Sequence, residues 1–286
     1  MINIRLIRRR TRGIRGIAKI TRAMEMVAAS KMRRAQERGL AGRPYSEKIA
    51  QVLADLAALA EAGGAVPHPL LQRRPVHKIA IVHITPDRGL CGGLVANINR
   101  KTASVILEKD VPVELITVGL KGFDFMRRYG RDIKAEFTRL GDRPVLFDTL
   151  PISRLLIDGY SNDEVDLVYL VHAQFVSTMV QRPMVKQILP VEPAVIPTAQ
   201  NVDYIYEPGP AGVLGQLLPR FVEMQVYHAI LESIASEQSA RMVAMRNATE
   251  NANELIEHLT LLYNKARQES ITRELLDIIG GAAALA

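Results

Sequence analysis

Between Arg220 and Ile279 the chain runs sixty residues without a glycine or a proline. As one unbroken helix this stretch would reach roughly 90 Å, whereas an average globular helix has roughly 11–12 residues. Within it Met245, Ala248, Ala252, Leu255, Leu259, Leu262 and Ala266 recur at spacings of 3, 4, 3, 4, 3 and 4. That is the heptad seam of a coiled coil, which needs a partner helix to cover it. Three of the seven positions are Ala, so the partner can approach closely. A helix folded onto its own domain would carry a broader apolar stripe. A rod of this kind suits mechanical work better than catalysis.

The partner is predicted at the other end of the chain. Ile17, Ile20, Met24 and Val27 repeat the 3, 4, 3 spacing, with Ala23, Ala28, Ala29 and Ala35 in the same stretch. Gly13 and Gly16 weaken the first turns by about 1 kcal/mol each relative to Ala. Two helices joined through a large insert favour an antiparallel pair. The expected fold is α/β: a long antiparallel coiled coil of the N- and C-terminal helices plus a central α/β domain. The division expected is 1–65 for the N-terminal helix, 66–207 for the central domain and foot, and 208–286 for the long C-terminal helix.

Charge is unevenly placed. The first 43 residues carry thirteen Lys/Arg against two Glu, a net of +11 in a chain whose total is +7, so the rest sums to −4. Arg5, Arg8, Arg9, Arg10, Arg12 and Arg15 form one cluster; Lys31, Arg33, Arg34 and Arg38 form another. Such clusters suit phosphate, anionic lipid or acidic protein surfaces. No aromatic residue precedes Tyr45, so the stacking platform of a single-stranded nucleic-acid binder is missing, and an acidic protein partner is preferred. No apolar run approaches the ~18–20 residues of a membrane span. Cys91 is the single cysteine, which excludes an internal disulfide and fits a reducing compartment.

The periodicity changes beyond Gly63-Gly64 and Pro67-His68-Pro69. Ile79–Ile84, Val113–Val118 and Val165–Val171 read as buried strands, and Val185–Leu189 as a further one. Residues 94–109, 123–129 and 155–160 read as helices between them. This alternation indicates a mostly parallel layered sheet. Pro190, Pro193 and Pro197 mark an irregular exit.

Asp87-Arg88-Gly89-Leu90-Cys91-Gly92-Gly93 follows the first strand and precedes a helix, where backbone N–H groups can cradle phosphate. Its spacing matches neither G-x-G-x-x-G nor G-x-x-x-x-G-K-[ST], so a tight turn is favoured over a cofactor site. The six histidines lack zinc-helix spacing. Ser236-Glu237 on the long helix reads as a solvent-facing polar pair. No catalytic residue, metal or cofactor is expected.

Three segments together carry a resemblance. They are Ile20-Thr21-Arg22-Ala23-Met24-Glu25-Met26-Val27-Ala28-Ala29-Ser30-Lys31-Met32, the loop Asp87–Gly93, and the pair Ser236–Met245 with Leu261–Gln268. The chain closely resembles the gamma subunit of F-type ATP synthases over both termini and the middle, in family order and at family length. The resemblance implies a Rossmann-like central α/β domain and a non-catalytic central-stalk rotor inside a hexamer of alpha and beta subunits. It would rest with the epsilon subunit on a ring of c subunits, peripheral to the cytoplasmic face of the cell membrane and not bound to nucleic acid. It would transmit torque and couple proton flow to ATP synthesis or hydrolysis. By that likeness Met24 faces an acidic loop of beta, Arg267 and Gln268 catch a beta subunit with Thr272 and Glu274 close by, and Tyr204, Tyr206 and Glu207 meet the c ring and epsilon. The regulatory cysteine pair of photosynthetic relatives is missing, so thiol control is not expected. Helix propensity would end the rod at Gly280-Gly281; the resemblance carries a helical tip onward. Two other classes compete: a nucleotide-binding enzyme built on the α/β domain, and a basic coiled coil that binds nucleic acid.

Overall fold

The computed structural model describes residues 4–63, 68–192, 207 and 209–285. Its elements are α1 (Ile4–Gly63), a 3₁₀ turn (Pro69–Leu71), β1 (Ile79–Ile84), α2 (Leu94–Glu108), β2 (Val113–Val118), α3 (Leu120–Arg128), β3 (Ile133–Phe137), α4 (Leu146–Ser161), β4 (Leu167–Phe175), β5 (Gln181–Leu189) and α5 (Pro210–Leu285). The chain forms two compact units, Met1–Ala28 with Arg241–Ala286, and Ala29–Ala240. The division expected at 65 and 208 follows the helix ends. Compactness divides the chain inside α1 and α5 instead, because half of each helix is committed to the central core.

In that central unit the sheet order is β3-β2-β1-β4-β5. β1 runs parallel to β2 and β4, β2 parallel to β3, and β5 closes the edge antiparallel to β4. All six residues of β1 are buried, as a central strand covered on both faces requires. One face packs Ile79, Ile81, Leu115, Val171 and Ala173 on Leu94, Ile98 and Val105 of α2 and Met126 of α3. The other packs Ala80, Val82, Ile116, Val168 and Leu170 on Ile152, Leu156 and Tyr160 of α4. That second layer also takes in Ile49, Leu53 and Leu56 of α1 and Leu218, Val222, Val226 and Ile230 of α5.

β1 and β2 have the expected bounds, and α2 ends one residue early, at Glu108. α3 and α4 begin several residues earlier than expected, and β4 and β5 extend to Phe175 and back to Gln181. β3 is an addition. Its residues alternate between half-buried and exposed, so it lacks the solid apolar run that marked the others. α5 also exceeds its glycine- and proline-free stretch: it starts at Pro210, where the fixed φ suits a first turn, and contains Pro219. Leu214, Leu218 and Val222, each buried, supply packing that offsets the hydrogen bond lost at the proline. At the far end the helix passes through Gly280-Gly281 to Leu285.

The other unit is a pair of helices. α1 buries Ile7, Ala18, Thr21, Glu25 and Ala28, with Thr11 and Ile14 half-buried. α5 buries Met242, Met245, Thr249, Ala252 and Ala266, with Ile256, Leu259 and Tyr263 half-buried. Both series advance by alternating steps of three and four. The Oγ1 atoms of Thr21 and Thr249 lie 2.7 Å apart, and Arg246 Nε donates to Glu25 Oε1 at 3.0 Å. Moving up α1 from Thr21 to Glu25 thus moves down α5 from Thr249 to Arg246, which makes the pair antiparallel. The same register sets Ala18 opposite Ala252 and Ile14 opposite Ile256.

Candidate functional site

The seam just described corrects half of the expected one. Ile17, Ile20 and Val27 are 54%, 61% and 53% exposed, and Met24 is half-buried. One residue further on rotates the helix by about 100°, and there Ala18, Thr21 and Ala28 face α5. The small side chains take the seam because they let two backbones come close. The bulky apolar residues Ile17, Ile20 and Val27 point outward. On α5, Met245, Ala252 and Ala266 are buried, Ala248, Leu259 and Leu262 are half-buried, and Leu255 is 51% exposed.

The outer surface of this pair is electrostatically lopsided. From Ile4 to Ala28, α1 carries eight Lys/Arg against Glu25 alone, while α5 beyond Ala240 carries five Lys/Arg and six Asp/Glu. Arg5, Arg8, Arg9, Arg10, Arg12, Arg15 and Lys19 are all exposed. An acidic partner would therefore favour the α1 side. Arg267, Gln268, Thr272 and Glu274 are exposed beside the buried Ala266, and Glu274 accepts a hydrogen bond from Ser270 at 3.3 Å. Every residue from Ile271 to Gly280 is exposed, including Ile271, Leu275, Leu276, Ile278 and Ile279. Tyr204 and Tyr206 lie outside the described residues. Glu207 is exposed and borders a cavity of about 360 Å³ between Tyr45 and Lys48 of α1 and Val213, Leu217 and Arg220 of α5.

The glycine loop of the central unit is spent on internal contacts. The Asp87 carboxylate accepts N–H groups from Leu120 at 2.9 Å and Arg139 at 3.0 Å, joining the ends of β1, β2 and β3. Gly92 has φ +59 and Leu90 φ 64, both in the left-handed region of a tight turn. Cys91 is buried against the α2 core. In doubly wound sheets the ligand crevice lies outside the carboxyl ends of the strands. Here Ile230, Ser233, Ile234 and Glu237 of α5 cover that place, leaving a cavity of about 50 Å³. Small-molecule pockets usually have about 300–1,000 Å³, so the chain's own helix fills the ground a cofactor would take. Among the described residues no group of three or more His, Cys, Asp or Glu could hold a metal ion.

Beneath the loop, His83 is fully buried between β1 and α2. Its Nε2 lies 2.9 Å from Asn99 Oδ1 and its Nδ1 2.8 Å from Thr102 Oγ1, a neutral ring bonded on both nitrogens. Burial lowers its pKa to about 4, against a smaller raising effect of the Asn99 bond. Gly122 permits this packing: a Cβ there would stand 2.6 Å from the His83 ring.

Sequence reasoning misread one group. Ser236, expected to face solvent with Glu237, is wholly buried, as is Ser239, and Gln238 is 2% exposed, while Glu237 is half-buried. The hydrogen bonds of Ser236, Ser239 and Gln238 reach β4, the β4–β5 turn and the β3–α4 loop. A run of four polar residues without charge alternation was the available signal.

Comparison with known proteins follows the same architecture. A family model described as ATP synthase matches residues 3–285. The chain is 67% identical over 286 residues to an ATP synthase gamma chain of Dehalococcoides mccartyi, covering all of both chains. It is 52% identical over 290 residues to that of a Roseiflexus species, covering 100% of this chain and 99% of the relative. Among solved structures, it is similar to a chain of the Tetrahymena thermophila mitochondrial ATP synthase central stalk and c ring. The TM-score is 0.63 at 24% identity, over 80% of this chain and 99% of that one. It is also similar to a chain of the Euglena gracilis mitochondrial ATP synthase, with a TM-score of 0.66 at 19% identity over 99% and 94%. These two likenesses concern the fold.

Proposed function

The chain belongs to the ATP synthase gamma-chain family, and from that membership we propose that it is the non-catalytic central-stalk subunit of an F-type ATP synthase. In this reading it carries torque between a membrane c ring and a catalytic alpha/beta hexamer. The observation that supports it most is the full-length match to gamma chains at 67% identity. It is joined by an antiparallel helix pair with apolar and basic residues turned outward.

The mechanism is a matter of differential contact. A rotor can bias a partner's conformations only if it binds them unequally. A shaft that is basic along α1 and near neutral along α5 has a different face for each of three beta subunits. Met24 and the outward stripe of Ile17, Ile20 and Val27 would meet acidic and apolar parts of beta. Arg267 offers a permanently charged planar fork, and Gln268 a donor and an acceptor, to a beta subunit; Thr272 and Glu274 stand on the same exposed stretch. Glu207, with Tyr204 and Tyr206, would meet the c ring and the epsilon subunit. No described helix is long and apolar enough to cross a membrane; in this reading the chain attaches peripherally, at the cytoplasmic face of the cell membrane. No cofactor enters the mechanism; nucleotide chemistry stays in the hexamer.

The test is reconstitution with alpha and beta subunits and the membrane sector. Arg267→Ala with Gln268→Ala should leave the circular-dichroism spectrum unchanged and lower both ATPase rate and proton pumping. Wild-type values for both activities would remove the contact assignment. A wild-type chain that does not co-purify with an ATPase-active hexamer would remove the central-stalk reading itself.

A further inference from the structure

An amphipathic helix buries one stripe; α5 between Ile234 and Ala240 does not. Ile234, Ala235, Ser236, Gln238, Ser239 and Ala240 are all buried, and at about 100° per residue they point all around the axis. Only Glu237, half-buried, looks elsewhere. The helix is enclosed for almost two turns, and polar side chains do much of the enclosing.

Their partners come from separate segments of the central unit. Ser236 Oγ donates to the Ala173 carbonyl of β4 at 3.0 Å. Ser239 Oγ donates to the Thr178 carbonyl in the β4–β5 turn at 2.7 Å and accepts from Gln181 Nε2 at 3.3 Å. Gln238 Nε2 donates to Asp142 Oδ1 in the β3–α4 loop at 3.4 Å. The other oxygen of Asp142 accepts from Lys31 Nζ of α1 at 2.6 Å, so one carboxylate holds both long helices.

We propose that Ser236, Gln238, Ser239 and Asp142 form a collar that locks α5 against rotation about its own axis, and that torque enters and leaves the long helix there. The proposal rests on the central-stalk reading. The hydrophobic effect is non-directional, so apolar burial alone specifies the angle of the helix less sharply than hydrogen bonds do. Hydrogen bonds weaken steeply once the donor angle is lost. Bonds on different sides of one helix, to a carbonyl of β4, a carbonyl of the β4–β5 turn and a loop carboxylate, therefore resist turning in either direction. Their place in the chain fits: the helix passes into the other compact unit directly after Ala240.

The experiment measures twist rather than stability. Leu107, 73% exposed on α2, is replaced by Leu107→Cys to carry a bead; the buried Cys91 does not compete for the label. With the assembled alpha/beta hexamer fixed to a surface and held by a non-hydrolysable nucleotide, the angular variance of the bead reports torsional stiffness. Two variants are compared with the parent: Ser236→Ala with Ser239→Ala, and Asp142→Ala, whose side chain is 46% exposed and whose loss leaves the core packing intact. Each should at least double the variance, while Asp142→Asn, which keeps an acceptor for Gln238, stays near the parent. A merely structural role would lower the unfolding temperature without widening the angular distribution. Variances equal to the parent in both alanine variants overturn the collar. A parent chain that fails to assemble with the hexamer overturns the central-stalk reading and the collar with it.

Discussion

His83 shows how a single side chain can be costly to charge and still well placed. Neutral, it bonds Asn99 and Thr102 on its two nitrogens; protonated, it would put an unpaired charge in the core. Its folded pKa of about 4 lies below the 6.5 of a free histidine. Between those values the unfolded chain takes up a proton that the folded chain refuses, so stability is complete above pH 6.5 and falls as the pH drops towards 4. The displacement corresponds to about 3 kcal/mol. Urea unfolding at pH 7 and pH 4.5 should show most of that loss, and His83→Gln should reduce the pH dependence by a similar amount. An unchanged slope in the variant would mean that other groups carry the acid sensitivity. The histidine was visible in the sequence as one of six without ligand spacing. Its burial was not, because Asn99 and Thr102 reach it only once α2 folds over β1.

At the scale of elements, helices and strands were legible where the pattern is dense and local. β1 and β2 have the bounds their β-branched runs predict, because a central strand is apolar on both faces. β3 escaped because its half-exposed alternation is weak over five residues. The seam of α1 misled in the opposite sense: the largest apolar residues drew the assignment, but a close helix pair selects small ones. Two substitutions separate the possibilities. Ile20→Ser, on the exposed face, should change stability by less than about 0.5 kcal/mol. Ala18→Leu, opposite Ala252, should destabilise the full chain by roughly 1–3 kcal/mol through overpacking. Denaturant melts of both variants decide it, and the reverse ranking would restore the seam on Ile17, Ile20 and Val27.

At the scale of the whole molecule, the end of α5 is a long stretch of the described residues that the chain itself leaves uncovered. Beyond Ser270 every residue to Gly280 is exposed, with five large apolar side chains among them. Low local burial means low opening free energy. We expect amide exchange over 271–285 to be fast in the isolated chain, against slow exchange in β1 and β4, and to slow at least tenfold in the assembled complex; equal rates before and after assembly would refute a partner around this tip. The sequence by itself determined the long helices, the alternating α/β middle and the family, because helical period, β-branched runs and motif order are all local properties of the chain. Only the tertiary structure decided which helix face is the seam, and that Ser236, Gln238 and Ser239 are enclosed rather than wet. Both depend on what stands opposite. The groups opposite them come from segments far away in the chain: Thr249 faces Thr21, and Asp142, Ala173 and Thr178 hold a helix that begins at Pro210.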